Sequence, residues 1–262
     1  MKNILVFLFV FFALSFTSCK KPQQSLTIKE GILSVGIEIG YPPMEYYDTD
    51  GVTPIGFDIE LTQAIAERLG LEINYIDTAW EGILAGLDAN RYDIAVNITI
   101  LPARQERYNF TKPYIDSSMT IVALKNSPIN IEKPEDITGY RVGYQSDTTA
   151  QYFTERLRDR DIIFTSFSYD KITNCFDDLR LRRVDLVVVD NIVAFYFAGK
   201  EDAVFDVVWQ GASDEFIGIA LKKGNETLTE ALNKTLDDLF EDGTIAEISR
   251  RILKRDVYEN NK

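Results

Sequence analysis

Arg104 stands a few residues beyond a short apolar run of β-branched character, Asp93–Ile98, with the chain turning at Pro102 in between. Such a run suits a strand buried on both faces of a parallel sheet. Open α/β sheets place their ligands just outside the carboxyl ends of the strands. A guanidinium there is fixed in charge and offers a planar fork of donors that fits a carboxylate, so Arg104 is a candidate anchor for a small anion. The competing reading is a surface arginine in a turn shared with Glu106 and Arg107. An opposite charge is available at Asp190, which ends a second apolar strand, Asp185–Val189. It is placed either to meet a cation or to cap the helical segment Ile192–Phe197. Thr148 and Thr149 open a third feature, a helical stretch to about Arg158. Free backbone N–H groups at a helix start attract anions, and simple capping is the alternative.

The elements that must carry these residues follow from hydrophobic spacing. Ile32–Ile37 predicts a strand, stopped by Gly40, Pro42 and Pro43 so that Glu38 and Tyr41 sit on a loop. Phe57, Leu61, Ile65 and Leu69 recur every four residues, which predicts a helix over Gly56–Gly70 with Gly70 as its C-cap. Glu72–Ile76 predicts a strand leading to Trp80, followed by a helix near Glu81–Ala89. Strand alternating with helix predicts a parallel sheet with helices on both faces. Further strands are expected at Met119–Leu124, at Arg141–Tyr144 (running into Gln145-Ser146-Asp147) and at Phe216–Lys222. Helices Thr227–Phe240 and Thr244–Leu253 follow, with Leu228, Leu232, Leu236 and Leu239 as core. The chain also echoes itself. Tyr140-Arg141-Val142-Gly143 repeats the sense of Leu33-Ser34-Val35-Gly36, and Arg183-Val184-Asp185 that of Arg91-Tyr92-Asp93. Two similar lobes would look like this, as would common α/β grammar used twice.

At the amino end Lys2 precedes an apolar run from Ile4 to Phe16 and then Thr17-Ser18-Cys19. The run is short for a membrane span and has the order of a secretory signal. Cysteine after two small residues resembles a bacterial lipoprotein signal, which would make Cys19 the lipidated first residue of the mature chain; plain secretion is the alternative. Residues 20–30 are polar, as a tether would be. With Cys19 acylated, Cys175 has no disulfide partner and reads as a small core residue. The chain has no histidine, which excludes His-based triads and His-ligated zinc. Its formal charge is −13, or −14 once Lys2 leaves with residues 1–18, since 27 basic then face 41 acidic side chains. That argues against nucleic acid as a partner. The four Asn-x-Thr sequons, at Asn97, Asn109, Asn225 and Asn233, read as chance.

The ordered set VGIEIGYPPMEY, GFDIELTQAIAERLG, WEGILAGLDANRYDIAV, NITILPAR, GYRVGYQSDTT, RRVDLVVVDN and FIGIALKKGN resembles the family-three periplasmic solute-binding proteins, the polar-amino-acid receptors of ABC importers. The likeness covers Gly31 to Leu253. It implies an α/β fold of two lobes closing like a clamshell, each a central, mostly parallel sheet flanked by helices. The expected division is a lipoprotein signal at 1–18, a tether at 19–30, lobe one at 31–115 plus 213–255, and lobe two at 116–212. Position by position, the resemblance makes Arg104 the carboxylate-binding arginine and Asp190 the ammonium-binding aspartate. It makes Thr99 a hydroxyl before the arginine, Asn97 and Ile98 adjoining backbone contacts, and Thr148 and Thr149 the helix-start partners of the same carboxylate. Tyr41 and Trp80 match the aromatic walls, Glu38 the acid facing the ligand side chain, and Gln145 belongs to the same loop. Leu101 departs from the usual threonine, and Asp147 from a glycine, where its charge would repel a carboxylate unless turned to solvent or to a basic side chain.

The physical logic stands beside the family name. Removing a zwitterion from water is costly unless both charges are paired, and Arg104 and Asp190, on opposing jaws, pair both ends only when the jaws shut. The expected activity is therefore capture of an amino acid, without catalysis, cofactor or metal, and delivery to an ABC transporter permease. The expected state is a monomer outside the cytoplasm, held to a membrane by its lipid alone. Two alternatives are a cyclohexadienyl dehydratase-like enzyme, using Glu38 or Asp147 as acid or base, and a ligand-sensing receptor module.

Overall fold

The computed structural model describes residues 25–200 and 202–256. The signal segment, Cys19 and the first part of the expected tether lie outside them. In chain order the strands are β1 (Ile32–Ile37), β2 (Tyr46–Tyr47), β3 (Pro54–Ile55), β4 (Glu72–Asp77), β5 (Ile94–Thr99), β6 (Tyr108–Phe110), β7 (Ile115–Ser117), β8 (Met119–Leu124), β9 (Arg141–Gln145), β10 (Thr165–Tyr169), β11 (Leu186–Asp190), β12 (Phe205–Gln210) and β13 (Glu215–Lys222). The α-helices are α1 (Phe57–Leu69), α2 (Ile83–Asp88), α3 (Pro102–Arg107), α4 (Thr149–Arg158), α5 (Ile172–Arg180), α6 (Asn191–Ala198), α7 (Glu226–Glu241) and α8 (Thr244–Ile252).

Two principal sheets result, one ordered β4-β1-β5-β13-β6 with β7 beside β13, the other β10-β9-β11-β8-β12. The expected parallel sheet holds within β4-β1-β5 and β10-β9-β11. Around those cores β13 and β8 run antiparallel, because they are the strands that follow the passage from one sheet to the other. The chain crosses between Ser117 and Met119 and returns between Gln210 and Glu215. The two crossings are tied together, since β7 pairs β13 with Glu215 opposite Ser117. Asn191 Oδ1 accepts from the Ser117 hydroxyl and the Ser118 N–H beside them.

Each sheet is covered on both faces. Leu33, Val35 and Ile37 of β1 pack with Phe57, Leu61 and Ile65 of α1 and with Leu228, Leu232 and Leu236 of α7 in one buried cluster. Ile83, Leu87, Tyr92, Ala95 and Ile98 form the cluster of the opposite face. In the second sheet one cluster joins Val142 and Leu186 to Ala150 and Leu157 of α4. The other joins Val187 and Val189 to Cys175 and Phe176 of α5 and Val193 of α6. Cys175 is fully buried, as expected of a small core residue, and burial pushes its thiol pKa up.

The internal echo has a structural counterpart. Asp93 accepts from the backbone N–H of Ser34 at 2.8 Å, and Asp185 accepts from that of Arg141 at 2.9 Å. Ser34 and Arg141 are equivalent in the repeated motif, so each Arg-x-Asp pins the start of the early parallel strand beside it. Asp93 also takes the Ile28 N–H, which anchors the end of the segment read as tether. The early glycine serves close packing in the first sheet. Tyr92, 1 % exposed, lies so near that a Cβ on Gly36 would sit 2.4 Å from its ring. Gly36→Ala is therefore expected to cost about 1–3 kcal/mol of unfolding free energy. Urea titration of the variant against wild type measures it, and an unchanged midpoint would mean the ring can move aside.

Candidate functional site

The loops at the carboxyl ends of β1, β5, β9 and β11 meet in a crevice between the two sheets. It is lined by Glu38, Tyr41, Glu45, Trp80, Asn97, Thr99, Gln145, Thr148, Thr149, Asp190, Glu215 and Ile217. The enclosed space is about 30 Å³, room for little more than a water molecule. Nine residues singled out from sequence line it: Glu38, Tyr41, Trp80, Asn97, Thr99, Gln145, Thr148, Thr149 and Asp190.

The other three are placed elsewhere. Ile98 is fully buried in the cluster behind β5. Arg104, in the short helix α3 rather than a bare turn, lies beside the crevice and not in its wall. Its Nη1 donates to Thr99 O at 3.1 Å and its guanidinium stands 5.8 Å from the centre of the Trp80 ring. Tyr152 of α4, on the opposite side, is among the groups that act electrostatically on it. Asp147 turns an exposed side chain away. Its backbone carbonyl takes the Trp80 indole N–H at 3.1 Å, and its φ of 55° is a left-handed conformation that favours glycine.

Side chains reach across the crevice at several points. Gln145 Nε2 donates to both Glu38 oxygens, at 3.0 and 2.8 Å, and to Asp170 O at 2.9 Å. The Tyr41 hydroxyl donates to Asp190 Oδ2. Lys171 Nζ donates to Ile39 O at 2.8 Å, and the Thr149 hydroxyl to Glu215 Oε2 at 3.5 Å. Asp190 meets both sequence readings at once. Its Oδ1 caps α6 through the N–H groups of Ile192 and Val193, at 2.9 and 3.0 Å, while the carboxylate lines the crevice. Thr148 is the N-cap of α4, yet its hydroxyl donates to Gln145 O at 2.7 Å and leaves the first helical N–H groups without a side-chain cap.

Glu45, Glu215 and Ile217 were not singled out from sequence. Glu45 sits in a loop held down on α1: Phe57 N–H donates to Pro43 O and Asp58 N–H to Met44 O, both at 3.0 Å. That approach requires Gly56, with φ 132°, where a Cβ would lie 2.2 Å from Met44 O. Asn97 faces it from β5. The left-handed φ of 58° at Asn97, beside the irregular pairing of β13, aims its amide at Glu45 Oε1, 3.1 Å away. Glu215 comes from the strand that returns across the hinge, a position no local pattern marks.

Four carboxyl groups thus share the crevice. Burial raises the pKa of Glu38 to about 7, against the pull of the Gln145 hydrogen bond. Burial, reinforced by Asp190, raises Glu215 to about 7. Burial lifts Glu45 well above the ordinary range, with Asp58 behind it adding to the shift, and burial raises Asp190 too. Burial lowers the pKa of Arg104. Among the described residues no group of acids or cysteines is arranged as a metal site, and no helix is long and apolar enough to cross a membrane.

An acid whose pKa is raised by folding binds more protons folded than unfolded between its two pKa values, so stability falls as pH rises through that window. For Glu38 and Glu215 the window runs from the ordinary value of 4.5 to about 7. The melting temperature of the ligand-free protein should therefore fall between about pH 5 and pH 7.5. Glu38→Gln with Glu215→Gln should make that slope shallower, with Glu45 and Asp190 supplying what remains; an unaltered slope would place the titration elsewhere.

A model of the bacterial extracellular solute-binding proteins, family 3, matches residues 33–255. The L-cystine-binding protein TcyJ of Escherichia coli (strain K12) is 33% identical over 232 residues, covering 88% of this chain and 86% of its own. Among solved structures, an ancestral arginine-binding protein bound to arginine superposes with a TM-score of 0.80 at 32% identity, over 85% of this chain and 98% of that one. The ancestral amino acid-binding protein AncCDT-1, a precursor of cyclohexadienyl dehydratase, gives 0.77 at 28% identity, over 85% and 95%.

Proposed function

The chain belongs to the bacterial extracellular solute-binding proteins, family 3, and from that we propose that it captures an amino acid in the crevice and delivers it to the permease of an ABC importer. One observation carries the reading. Residues expected to hold the two ends of an amino acid gather between two sheets that are joined by two paired crossings. The lobes are inferred as 31–115 with 213–255 and 116–212. Cys19 is the proposed lipid attachment, which would keep the protein at the outer face of a membrane.

Capture follows from the geometry. A space of about 30 Å³ does not admit an amino acid, so entry requires the jaws to part and the contacts across the crevice to break. The ligand then supplies replacements. Its ammonium takes the place of the Tyr41 hydroxyl at Asp190, and its carboxylate meets the start of α4 and the Arg104 side of Trp80. Closure is favoured to the extent that the ligand binds the shut form better than the open one.

The acid-rich wall supports a ligand with a second cationic group. L-Cystine and L-arginine, the molecules named for the relatives above, each carry two. Glu38, Glu45 and the uncommitted Gln145 Oε1, which is buried without a donor, stand available for it.

A thermal-shift screen of the mature domain against the common amino acids and L-cystine tests the reading. Ligand at a hundred times its Kd should add about 2.7 kcal/mol of stability. Arg104→Ala and Asp190→Asn should each remove that shift. Asparagine is chosen because it preserves the α6 cap while discarding the charge. Wild-type shifts in both variants would reject the site, and no shift with any amino acid would reject the reading.

A further inference from the structure

Glu45 does not face the crevice alone. Behind it Asp58, fully buried in the first turn of α1 and donating its N–H to Met44 O, lies beside the Glu45 carboxyl. Two carboxylates accept hydrogen bonds and donate none, so neither can satisfy the other unless one of them carries a proton. The free oxygens point the same way: Glu45 Oε2 and Asp58 Oδ2 are both buried with no hydrogen-bond partner, which one shared proton would remedy. The proton belongs on Glu45. Asp58 is held as the anion by the Tyr114 hydroxyl, which donates to its Oδ1 at 2.7 Å, and by its place at the amino end of α1. Tyr114 in turn is fixed as that donor because its oxygen already accepts the Asn97 N–H at 3.0 Å. Glu45 has only the Asn97 amide.

We propose that Glu45 and Asp58 form a proton-exchanging cation subsite at one end of the crevice. In the free protein the pair holds one proton and carries a single negative charge. When the cationic group of a ligand enters against Glu45, it takes the proton's place and the proton leaves to solvent. The pair is then doubly negative and the ligand singly positive, so the local charge is the same before and after. The buried acids are never left with two uncompensated charges, the state that burial penalises most. Every other charged or titratable neighbour is consistent with this exchange. Glu38 faces Glu45 in the crevice and raises its proton affinity, as Asp58 does from behind, while Tyr41 is itself kept neutral by burial and by the acids around it. Lys171, the cation nearest Glu38, spends its hydrogen bond on Ile39 O. The strong rise that burial gives Glu45 supports the same assignment.

The inference rests on the capture reading and extends it to how the ligand's charge is admitted. Its test is calorimetric titration of the mature domain with L-arginine and L-cystine at pH 7, in phosphate and in Tris. These buffers differ in ionisation enthalpy, so the difference in heat counts protons released. Wild type should release close to one proton from this pair, and its Kd should fall by up to about tenfold per unit between pH 6 and pH 7.5. Glu45→Gln, which fixes the protonated shape, should lower the release by most of one proton and flatten the pH dependence. Should Glu45→Gln fail to fold, Asp58→Asn carries the same expectation, because Glu45 then ionises without a neighbouring charge. Binding without proton release would overturn the proposal, as would release unchanged in the variant or abolished entirely by Glu38→Gln. Absence of binding by wild type to either amino acid would instead be the failure of the capture reading, and the subsite would fall with it.

Discussion

Like charges buried together with too few protein cations to neutralise them set the terms for the whole crevice. Glu38, Glu45, Asp190 and Glu215 line one enclosed space, and bringing a carboxylate out of water costs several kcal/mol unless it is paired. Each has been given a partial solution. Asp190 takes two helix N–H groups, Glu38 the Gln145 amide, Glu215 the Thr149 hydroxyl, and Glu45 a shared proton. The nearby cations are occupied otherwise, Arg104 with Thr99 O and Lys171 with Ile39 O. The surplus of acid is what a cationic group from outside can discharge, and in the proposed capture this discharge favours closure.

The scaffold makes that arrangement possible by bringing the acids from different elements. Glu38 and Glu45 follow β1, Asp190 ends β11 and Glu215 opens β13. Their backbones are fixed by strands and by α1 and α6, so the repulsion cannot relax by local unfolding without disturbing a sheet. It can relax by separating the sheets. The paired crossings at Ser117 and Glu215 leave that freedom, because they join the sheets along one edge. Glu215 opens β13 at the end of the return crossing, opposite Ser117.

Much of this was legible in the sequence. Period-four apolar spacing gave α1 and its glycine cap, and the Arg-x-Asp echoes marked equivalent strands whose aspartates do equivalent work. The order of short motifs carried the family and nine of the crevice residues. What escaped had physical reasons. Thr165–Tyr169 carries polar residues on both faces and so has no pattern that stands out, whereas α5 does carry one, with Ile172, Cys175, Phe176 and Leu179 at helical spacing. Glu45 lies in a loop segment, Met44-Glu45-Tyr46, that reads as exposed; only the contact with α1 buries it. Glu215 becomes a crevice residue through a return crossing about a hundred residues after β7, a relation no local window contains. Asp147 is the instructive departure. A residue at a position that is commonly glycine reads as a chemical change, whereas what the position imposes is a positive φ, and the charge points to solvent.

The acids also bear on whether the crevice transfers protons to a substrate or merely exchanges them with a ligand. A carboxyl group near pH 7 has the poise of a general acid or base, and Glu38 and Glu215 both have it. Poise is not sufficient, because a catalytic carboxyl needs an oxygen free to approach the reacting atom. Both oxygens of Glu38 are engaged by one Gln145 amide, itself fixed by Asp170 O. Asp190 has one oxygen in a helix cap and the other under the Tyr41 hydroxyl. Asp147 faces solvent. Acids tied in this way are suited to holding a charged group in a fixed orientation, which fits the capture proposed above. Conversion of such a crevice to catalysis would require first releasing one of them from its partner. Glu215 is the least tied of them, held only by the Thr149 hydroxyl at 3.5 Å, and Glu38 is next, since one substitution at Gln145 would release both of its oxygens.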